Sequence, residues 1–289
     1  MKRVLITGKG SYIGIHFKEY LEKEPEKYYV EELDMIDGTW KDFDFSEFDV
    51  VYHVAGLAHS TPDESQREIY YKVNTNLTYE VAKKAKEAGV KQFIFMSSII
   101  VYGSGKIGED RIITKDTPLT PDNFYGDSKK QAEIKIRPLE DDNFKIVILR
   151  PPMIYGPNSK GNYPLLAKFA KKTPIFPTIK NKRSMLFLGN LLEFVKLMID
   201  NEETGIFLPQ NKEYVSSYDL VKKISKIHNH KIIFIGLFNP IIKLFNKQTY
   251  INKVFGNLTI DKNLSIYKQN YNKYSFNESI EETERYSGK

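Results

Sequence analysis

Residues 4–14, VLITGKGSYIG, join an apolar stretch to a glycine-rich loop and to the start of a helical pattern. Gly8 and Gly14 occupy the outer positions of a G-x-x-G-x-x-G spacing, whereas Ser11 stands in the middle and the extra glycine is Gly10. Glycines let a backbone approach a pyrophosphate closely, and the N–H groups of the following helix face that anion. The stretch therefore predicts a dinucleotide-binding loop, with the Ser11 hydroxyl as a further phosphate donor. A plain tight turn between strand and helix is the alternative.

Apolar strands and helical patterns alternate along the first half of the chain. Strands are predicted at residues 4–7, 28–33, 50–54, 91–98 and 144–152, and helices at residues 13–21, 64–88 and 124–139. Nearly unbroken apolar strands separated by helices are typical of a parallel sheet covered on both faces. We predict an α/β fold with a Rossmann-type doubly wound parallel sheet. A dinucleotide-binding domain would span residues 1–157, and a smaller C-terminal substrate lobe, interleaved with late strands, would span residues 158–289.

The composition is that of a soluble globular protein. The chain has 289 residues, of which 41% are hydrophobic and 28% charged, as is ordinary for this class. The absence of cysteine excludes disulfides, thiol nucleophiles and cysteine-ligated metals, and no metal site is predicted. No segment resembles a signal peptide or approaches the ~20 apolar residues of a membrane span. We therefore expect a cytoplasmic protein.

Positive charge is concentrated near the C-terminal end. Residues 220–289 hold twelve lysines and arginines against five aspartates and glutamates. A solvated lysine-rich surface is the simplest interpretation, and an anionic ligand or membrane face is the alternative. No recognition motif for nucleic acid accompanies the charge. Within this region, the apolar run at residues 232–245 predicts a core strand and a short helix, broken at Asn239 and Pro240. Peripheral membrane contact is the second interpretation.

Two acidic residues follow the second predicted strand. In a dinucleotide site an acid at this position binds the adenosine ribose. Asp34 closes the strand and is preferred over Asp37. Because a carboxylate repels the 2′-phosphate of NADP, Asp34 favours NAD(H), with NADP(H) as the alternative.

The stretch NFYGDSKKQAE, residues 123–133, places Tyr125 and Lys129 four residues apart at the start of a helix. This spacing brings both side chains to one helical face. A tyrosine is a weak proton donor at neutral pH, and a nearby ammonium is expected to lower its pKa. Ser98 ends a predicted strand, where parallel sheets bind their ligands. Together these residues predict acid–base chemistry by Tyr125 at a substrate oxygen that Ser98 holds.

The chain resembles the extended short-chain dehydrogenase/reductase family, and within it the nucleotide-sugar epimerase/dehydratase group. TGKGSYIG, HVAGLAH, VNTNLT, FMSSIIVYG, YGDSK and RPPMIYGP match family motifs in order, and NKRSMLFLGNL and YSFNESIEETERY extend the match. The resemblance implies a UDP-sugar substrate, a homodimer, and Ser98, Tyr125 and Lys129 as the catalytic residues. The cofactor contacts would be Gly8, Gly10, Ser11, Tyr12, Ile13, Gly14, Asp34, Ala55, Gly56, Asn74 and Pro152. The nucleotide diphosphate would be held by Asn162 and Arg183.

Two features of the sequence bear on the reaction. Sugar 4,6-dehydratases of this family carry an acid–base pair where this chain has Ile99 and Ile100, so dehydration is not expected. The asparagine usual in R-x-x-N-x-Y-G is Met153 here. The stretches GNYPLLAKFAKKTPIFPTIKNKRSM and KVFGNLTI also resemble a bacterial surface-polysaccharide subgroup. That resemblance implies reduction of UDP-2-acetamido-2,6-dideoxy-4-keto-hexoses to UDP-N-acetylfucosamine or UDP-N-acetylquinovosamine. We favour this NAD(P)H-dependent 4-reductase, with an NAD-dependent UDP-sugar 4-epimerase as the alternative and a non-catalytic dinucleotide-binding protein third.

The histidines do not predict a catalytic or metal site. His53 and His59 flank VAGLA, and His53 is interpreted as a strand-end residue near the cofactor because no carboxylate is suitably spaced. His228 and His230 are two residues apart and do not share a helical face. We expect them to be exposed at the end of a helix.

Overall fold

The computed structural model describes residues 1–58 and 63–287. In chain order, the strands are β1 (Lys2–Thr7), β2 (Tyr28–Leu33), β3 (Val50–His53), β4 (Gln92–Met96), β5 (Ile112–Ile113), β6 (Lys145–Leu149), β7 (Met153–Tyr155), β8 (Ile175–Pro177), β9 (Met185–Phe187), β10 (Gly205–Phe207), β11 (Ile233–Ile235) and β12 (Thr259–Ile260). The α-helices are α1 (Tyr12–Leu21), α2 (Arg67–Tyr70), α3 (Thr78–Glu87), α4 (Phe124–Ile136), α5 (Asn162–Lys172), α6 (Leu188–Asp200), α7 (Ser217–Ile227), α8 (Asn239–Leu244), α9 (Thr249–Phe255) and α10 (Phe276–Tyr286).

Six strands form one parallel sheet in the order β10-β6-β4-β3-β1-β2. Towards one edge, Val4 of β1 lies beside Val30 of β2 and Val50 of β3. Every residue of the central strands β3 and β4 is buried, which is why these strands are mostly apolar rather than alternating. The predicted α/β fold with a parallel central sheet is confirmed.

The contacts divide the chain into two compact units. The first comprises residues 1–103, 119–151 and 192–208, and the second comprises residues 104–118, 152–191 and 209–289. The first unit contains the six-stranded sheet. The second contains the two-stranded sheets β11-β8, β12-β5 and β7-β9. The predicted roles of residues 1–157 in dinucleotide binding and of residues 158–289 in substrate binding stay predictions.

The long helix predicted at residues 64–88 forms, but as a chain of different helical turns. A 3₁₀ turn (Glu64–Gln66) and α2 lead into a π-helical segment (Tyr71–Leu77), and α3 follows. π-helical turns are rare in proteins, and those that occur are often found at functional sites. This one carries Asn74, which is fully buried.

The apolar run at residues 232–245 differs from its prediction. It forms β11 and α8, but Asn239 and Pro240 begin the helix instead of breaking it. Proline is well tolerated in the first turn of a helix, where its missing N–H would have no partner. The run is also not purely core, since several of its large apolar side chains are exposed. No helix within residues 1–58 and 63–287 is long and apolar enough to cross a membrane.

Candidate active site

The glycine loop lies between β1 and α1 and is shaped by two close backbone approaches. Gly8 has φ +101°, and a Cβ there would lie 2.9 Å from backbone atoms of Ala55. At Gly14, a Cβ would lie 2.6 Å from the Ser11 Oγ. Gly10 has φ +76° and open space where a side chain would stand. These positions require glycine and leave an open cradle at the helix N-terminus, so the residues present fit the pyrophosphate of a dinucleotide.

Ser11 is the N-cap of α1. Its Oγ accepts a hydrogen bond from Gly14 N at 3.2 Å, and its hydroxyl hydrogen can still be donated to a phosphate oxygen. Tyr12 and Ile13 form the first turn of the helix. The Tyr12 hydroxyl is buried with no hydrogen-bond partner in the described part of the chain, and burial raises its pKa.

The acidic residues after β2 are arranged around local turns. Asp34 follows the last residue of β2, and its Oδ1 accepts from Ile36 N at 2.7 Å. Asp37 instead caps Thr39, accepting from its backbone N at 3.0 Å. Sequence reasoning missed Glu32, whose Oε1 accepts from Gly10 N at 3.3 Å. Its position two residues before Asp34 was the available signal, because alternate residues of a strand face the same side.

A polar cluster forms where β3 ends. Asn74 accepts from Leu57 N at 2.8 Å and donates to Leu57 O at 3.1 Å and to Ser128 Oγ at 3.0 Å. A Cβ at Gly56 would lie 3.0 Å from Asn74 Oδ1 and 3.1 Å from Lys129 Nζ. The structure therefore brings together Gly56, Asn74 and Lys129, three residues selected from separate motifs. Ala55 is buried beside Gly8.

Tyr125 and Lys129 lie on α4, which Asn123 caps by accepting from Gly126 N at 2.9 Å. Ser98 is the N-cap of a 3₁₀ turn (Ile99–Tyr102). A Cβ at Gly126 would lie 2.7 Å from Ile100 O, so this glycine lets α4 pack directly on the turn. The close packing leaves the Ser98 side chain near enough to Tyr125 to affect the pKa of its phenol.

The pKa of Tyr125 differs from its prediction. Burial raises it to about 12, and the hydrogen bond from Ser98 opposes this rise. Lys129 donates to Met96 O at 2.9 Å, and burial lowers its pKa to about 8, opposed by the charge of Glu133. The predicted lowering by the Lys129 ammonium is therefore wrong, since burial raises the pKa of Tyr125 and Lys129 is not among the groups that shift it.

A buried ion pair joins Glu133 of α4 to Arg150, the residue after β6. Sequence reasoning did not identify it. The guanidinium of Arg150 donates to both oxygens of Glu133, at distances from 2.5 to 3.2 Å. Arg150 also donates to the Tyr102 hydroxyl at 2.7 Å, and Ser97 Oγ donates to Glu133 at 2.5 Å. The signal was the position of Glu133, which follows Lys129 by one helical turn. Ile99 and Ile100 lie in the 3₁₀ turn and have no proton to transfer.

The two predicted diphosphate contacts meet in the second unit. Arg183 Nη1 donates to Lys253 O at 2.5 Å, and Asn162 Nδ2 donates to the same carbonyl at 3.5 Å. Burial lowers the pKa of Arg183 to about 10, which is still high enough to keep it charged at neutral pH. Pro152, predicted near the nicotinamide, is buried and also belongs to the second unit.

His53 and His228 each have hydrogen-bond partners within the protein. His53 ends β3, is fully buried, and shares hydrogen bonds with Thr7 Oγ1 at 2.6 Å and Thr78 Oγ1 at 3.0 Å. His228 is exposed at the end of α7 and pairs with Glu284. His59 lies outside the described residues. Within residues 1–58 and 63–287, no three metal-ligating side chains form a group.

Comparisons with known proteins place these features in context. Residues 4–208 match the model of the NAD dependent epimerase/dehydratase family. A UDP-glucose 4-epimerase of Vibrio cholerae is 29% identical over 287 residues, covering 90% of this chain and 87% of that protein. The N-acetyl-alpha-D-glucosaminyl-diphospho-ditrans,octacis-undecaprenol 4-epimerase of Escherichia coli O157:H7 is 31% identical over 260 residues, covering 82% and 76%.

Solved structures share the fold at lower identity. The UDP-glucuronic acid 4-epimerase of Bacillus cereus, in complex with NAD, superposes with a TM-score of 0.75 at 18% identity, covering 98% of this chain and 96% of that one. A dTDP-4-dehydrorhamnose reductase of Bacillus anthracis, in complex with NADP, gives a TM-score of 0.69 at 20% identity, with 99% of each chain covered. Because epimerases and reductases share this fold, the fold alone does not select the reaction.

Proposed function

This chain belongs to the NAD-dependent epimerase/dehydratase family, and from that membership we propose that it is a 4-epimerase of a UDP-linked sugar. The preference for reduction drawn from sequence gives way because two relatives that match over 82% and 90% of the chain are 4-epimerases. The observation that carries the proposal is Ser98 next to Tyr125, with Lys129 on the same helix and Ile99 and Ile100 in place of an acid–base pair.

Each side chain of the site would have a defined task. Gly8, Gly10 and Ser11 would hold NAD by its pyrophosphate, and the cofactor would supply reversible hydride transfer at the sugar C4. Tyr125 would take the proton of the C4 hydroxyl and give it back after the sugar has turned. Ser98 would hold the C4 oxygen within reach of the phenol, since its side chain lies near enough to Tyr125 to affect the pKa of the phenol. The proton and the hydride are both returned, so the reaction is balanced with no net oxidation.

Lys129 would supply the positive charge that makes the phenolate accessible. Its ammonium lies against Gly56 and Asn74, at the end of β3. With the pKa of Tyr125 at about 12, the phenol needs nearby positive charge to act as a base near neutral pH. The cationic nicotinamide ring of NAD⁺ would add to this charge. The family is NAD-dependent, in agreement with the cofactor expected from Asp34.

The UDP portion would be anchored in the second unit. Arg183 and Asn162 converge on the Lys253 carbonyl, and a guanidinium held in place by a backbone carbonyl can direct its remaining N–H groups at phosphate oxygens. This anchor would recognise the nucleotide and leave the sugar free to turn. The resemblance also implies a homodimer, which light scattering of the purified protein tests as twice the mass of one chain.

A second candidate function is the NAD(P)H-dependent 4-reductase of a 4-keto sugar nucleotide. Met153 favours it, because a thioether cannot donate the hydrogen bond of the asparagine usual in epimerases at this position. Met153 lies on β7 and packs partly against the core of the second unit. Tyr125 would then protonate the C4 oxygen once, and the ketone would be consumed.

Two assays with the purified protein distinguish these functions. UDP-N-acetylglucosamine and UDP-glucose are each incubated without added reductant, and NMR of the anomeric proton follows conversion at C4. In parallel, UDP-4-keto-6-deoxy-N-acetylglucosamine is offered with NADH or NADPH, and the loss of nicotinamide absorbance is measured. Conversion in the first assay supports the epimerase. Oxidation of the reduced cofactor in the second, without the first, would transfer the assignment to the reductase.

Tyr125→Phe tests the catalytic role in either reaction. Removal of the proton-transferring hydroxyl is expected to lower turnover by about 10²–10⁴-fold, with UDP binding unchanged. Tyr20→Phe is the matched control, because it removes a hydroxyl that donates to Glu193 at 2.6 Å in the same unit. Near-normal turnover of Tyr125→Phe would refute the assigned mechanism.

A further inference from the structure

The segment around α8 presents large apolar side chains to solvent. Leu237 and Leu244 are 77% and 80% exposed, and Phe238, Ile241 and Phe245 are 44–52% exposed. Their spacing is i, i+1, i+4, i+7 and i+8, which places them along one side of a helical path. We name these five residues the α8 face. Monomeric soluble proteins rarely expose contiguous apolar clusters without an interaction that covers them.

The other side of the same segment is anchored in the protein. Ile232, Phe234, Ile242 and Ile251 are partly buried and pack against the core of the second unit. Asn239 donates to Thr178 Oγ1 at 3.1 Å and fixes the start of the helix. The segment is therefore apolar on both sides. One side packs against the core of the second unit, and the other is exposed to solvent.

The stretch of sequence that contains the α8 face carries charge of a single sign. Residues 220–260 contain seven lysines and neither aspartate nor glutamate. Lys231, Lys243 and Lys247 are exposed in and beside the segment. Exposed apolar side chains bordered by lysines match an anionic membrane surface, where lysines meet lipid phosphates and apolar groups reach the acyl chains.

A polar cleft adjoins the same helix. It has a volume of about 410 Å³, and Lys180, Lys243, Asn181, Asn257 and Asp110 are among its lining residues. Because two lysines and one aspartate are among these residues, their net charge is positive. The cleft therefore provides a polar, net cationic border to the α8 face, at which a phosphate headgroup can be held.

We propose that the α8 face docks this protein on an anionic membrane surface. Leu237, Leu244 and the flanking aromatic rings enter the headgroup–acyl boundary, and Lys243 and Lys247 contact lipid phosphates. A second copy of the chain is the weaker occupant, because a two-fold interface through this surface would bring lysines of like charge together. The docking is peripheral and reversible, since the exposed stretch is too short to span a bilayer. It goes beyond the proposed function and does not depend on it.

Flotation of the full chain with vesicles tests the proposal. Vesicles of phosphatidylcholine alone are compared with vesicles containing one-third phosphatidylglycerol, at low and high salt. Wild-type protein is expected to float with the anionic vesicles and to be released by salt. Lys243→Glu with Lys247→Glu should weaken the apparent affinity by at least about tenfold, and Leu237→Gln with Leu244→Gln should weaken it to a similar degree while leaving NAD binding unchanged.

Matched controls separate the α8 face from general surface properties. Ile36 is 93% exposed in the first unit, so Ile36→Gln removes an equally exposed apolar group elsewhere. Lys115→Glu reverses an exposed charge outside residues 220–260. Both controls should float like wild type. Failure of the wild-type chain to float with anionic vesicles would overturn the proposal. So would a change from dimer to monomer in the Leu237→Gln, Leu244→Gln variant without any loss of vesicle binding.

Discussion

Two arginines, the buried Arg150 in the first unit and the half-buried Arg183 in the second, differ in how the protein neutralises their charge. Arg150 in the first unit forms a bidentate pair with Glu133, which holds the pKa of Arg150 above its ordinary value. Arg183 in the second unit is bound by the backbone carbonyls of Lys253 and Val254, and burial lowers its pKa. A carbonyl offers a partial charge, whereas a carboxylate neutralises the cation fully.

This difference separates a structural charge from one that can bind an anion. Arg150 is satisfied by the protein, so its positive charge contributes to the packing behind α4. Arg183 keeps an uncompensated charge at a site that the family resemblance assigns to a diphosphate. Disrupting the Glu133–Arg150 pair should therefore lower the free energy of unfolding, whereas replacing Arg183 should weaken ligand binding.

The largest expected effect is on stability. Glu133→Gln leaves Arg150 buried without a counter-charge and should lower the free energy of unfolding by about 3–5 kcal/mol. Urea denaturation measures this loss. The double variant Glu133→Leu, Arg150→Met removes both charges and should recover most of it, because a buried pair is often replaceable by apolar groups of similar size. A single variant as stable as wild type would show that the pair is not buried in solution.

Arg183→Met should act on binding instead. Loss of charged hydrogen bonds to phosphate is expected to weaken UDP binding by about 10- to 100-fold, with no loss of unfolding free energy, because an uncompensated buried charge is removed. Isothermal titration with UDP measures the first quantity and urea denaturation the second. Arg183→Lys should lie between the two proteins, since lysine keeps the charge but loses the planar fork. Destabilisation without weaker binding would assign Arg183 a structural role.

His53 is a titratable side chain that is buried and neutral in the folded protein. Burial lowers its pKa from 6.5 to about 3, so between these values the unfolded chain binds a proton that the folded chain does not. Stability should therefore fall as the pH decreases, by about 2 kcal/mol between pH 7 and pH 5. His53→Gln removes the titrating group, and its unfolding free energy should depend less on pH across this range. Parallel pH profiles for both proteins would contradict the assignment.

The smallest effect should come from charge pairs on the surface. Lys2 and Glu202 form an ion pair of 2.8 Å between partly exposed side chains. Because water screens such pairs, Glu202→Gln is expected to cost less than about 1 kcal/mol. Thermal unfolding at low and high salt measures the effect. A loss as large as that of Glu133→Gln would show that burial does not govern the strength of charge pairs in this fold.

Much of the first unit could be predicted because its signals are local. The strand predicted at residues 28–33 coincides with β2 (Tyr28–Leu33), since aromatic and β-branched residues at its start favour a strand. Ser98, Tyr125 and Gly126 lie in short motifs whose spacing already implies their geometry. The π-helical segment (Tyr71–Leu77) could not be predicted, because its hydrogen-bond pattern depends on Asn74 packing against distant residues.

Contacts in the second unit were harder to predict, because they join residues that are far apart in the sequence. Arg183 is bound by the carbonyl of Lys253, seventy residues away, and a backbone carbonyl leaves no trace in a sequence. The sign of the Tyr125 pKa shift also escaped prediction, since residue spacing gives the distance to Lys129 but not the depth of burial. At Asn239 and Pro240 the residues predicted a break, whereas the first turn of a helix accepts the same pair.

The interleaving of the two units has a consequence for protein synthesis. Strand β10 pairs with β6 at the edge of the central sheet, although residues 152–191 of the other unit are translated between them. A nascent chain that has emerged only to residue 157 therefore exposes β6 as an unprotected edge, ready to pair with a neighbouring chain. Neither unit is continuous in the sequence, so neither can finish folding until late in translation. A chaperone could therefore bind the chain before β10 has paired with β6.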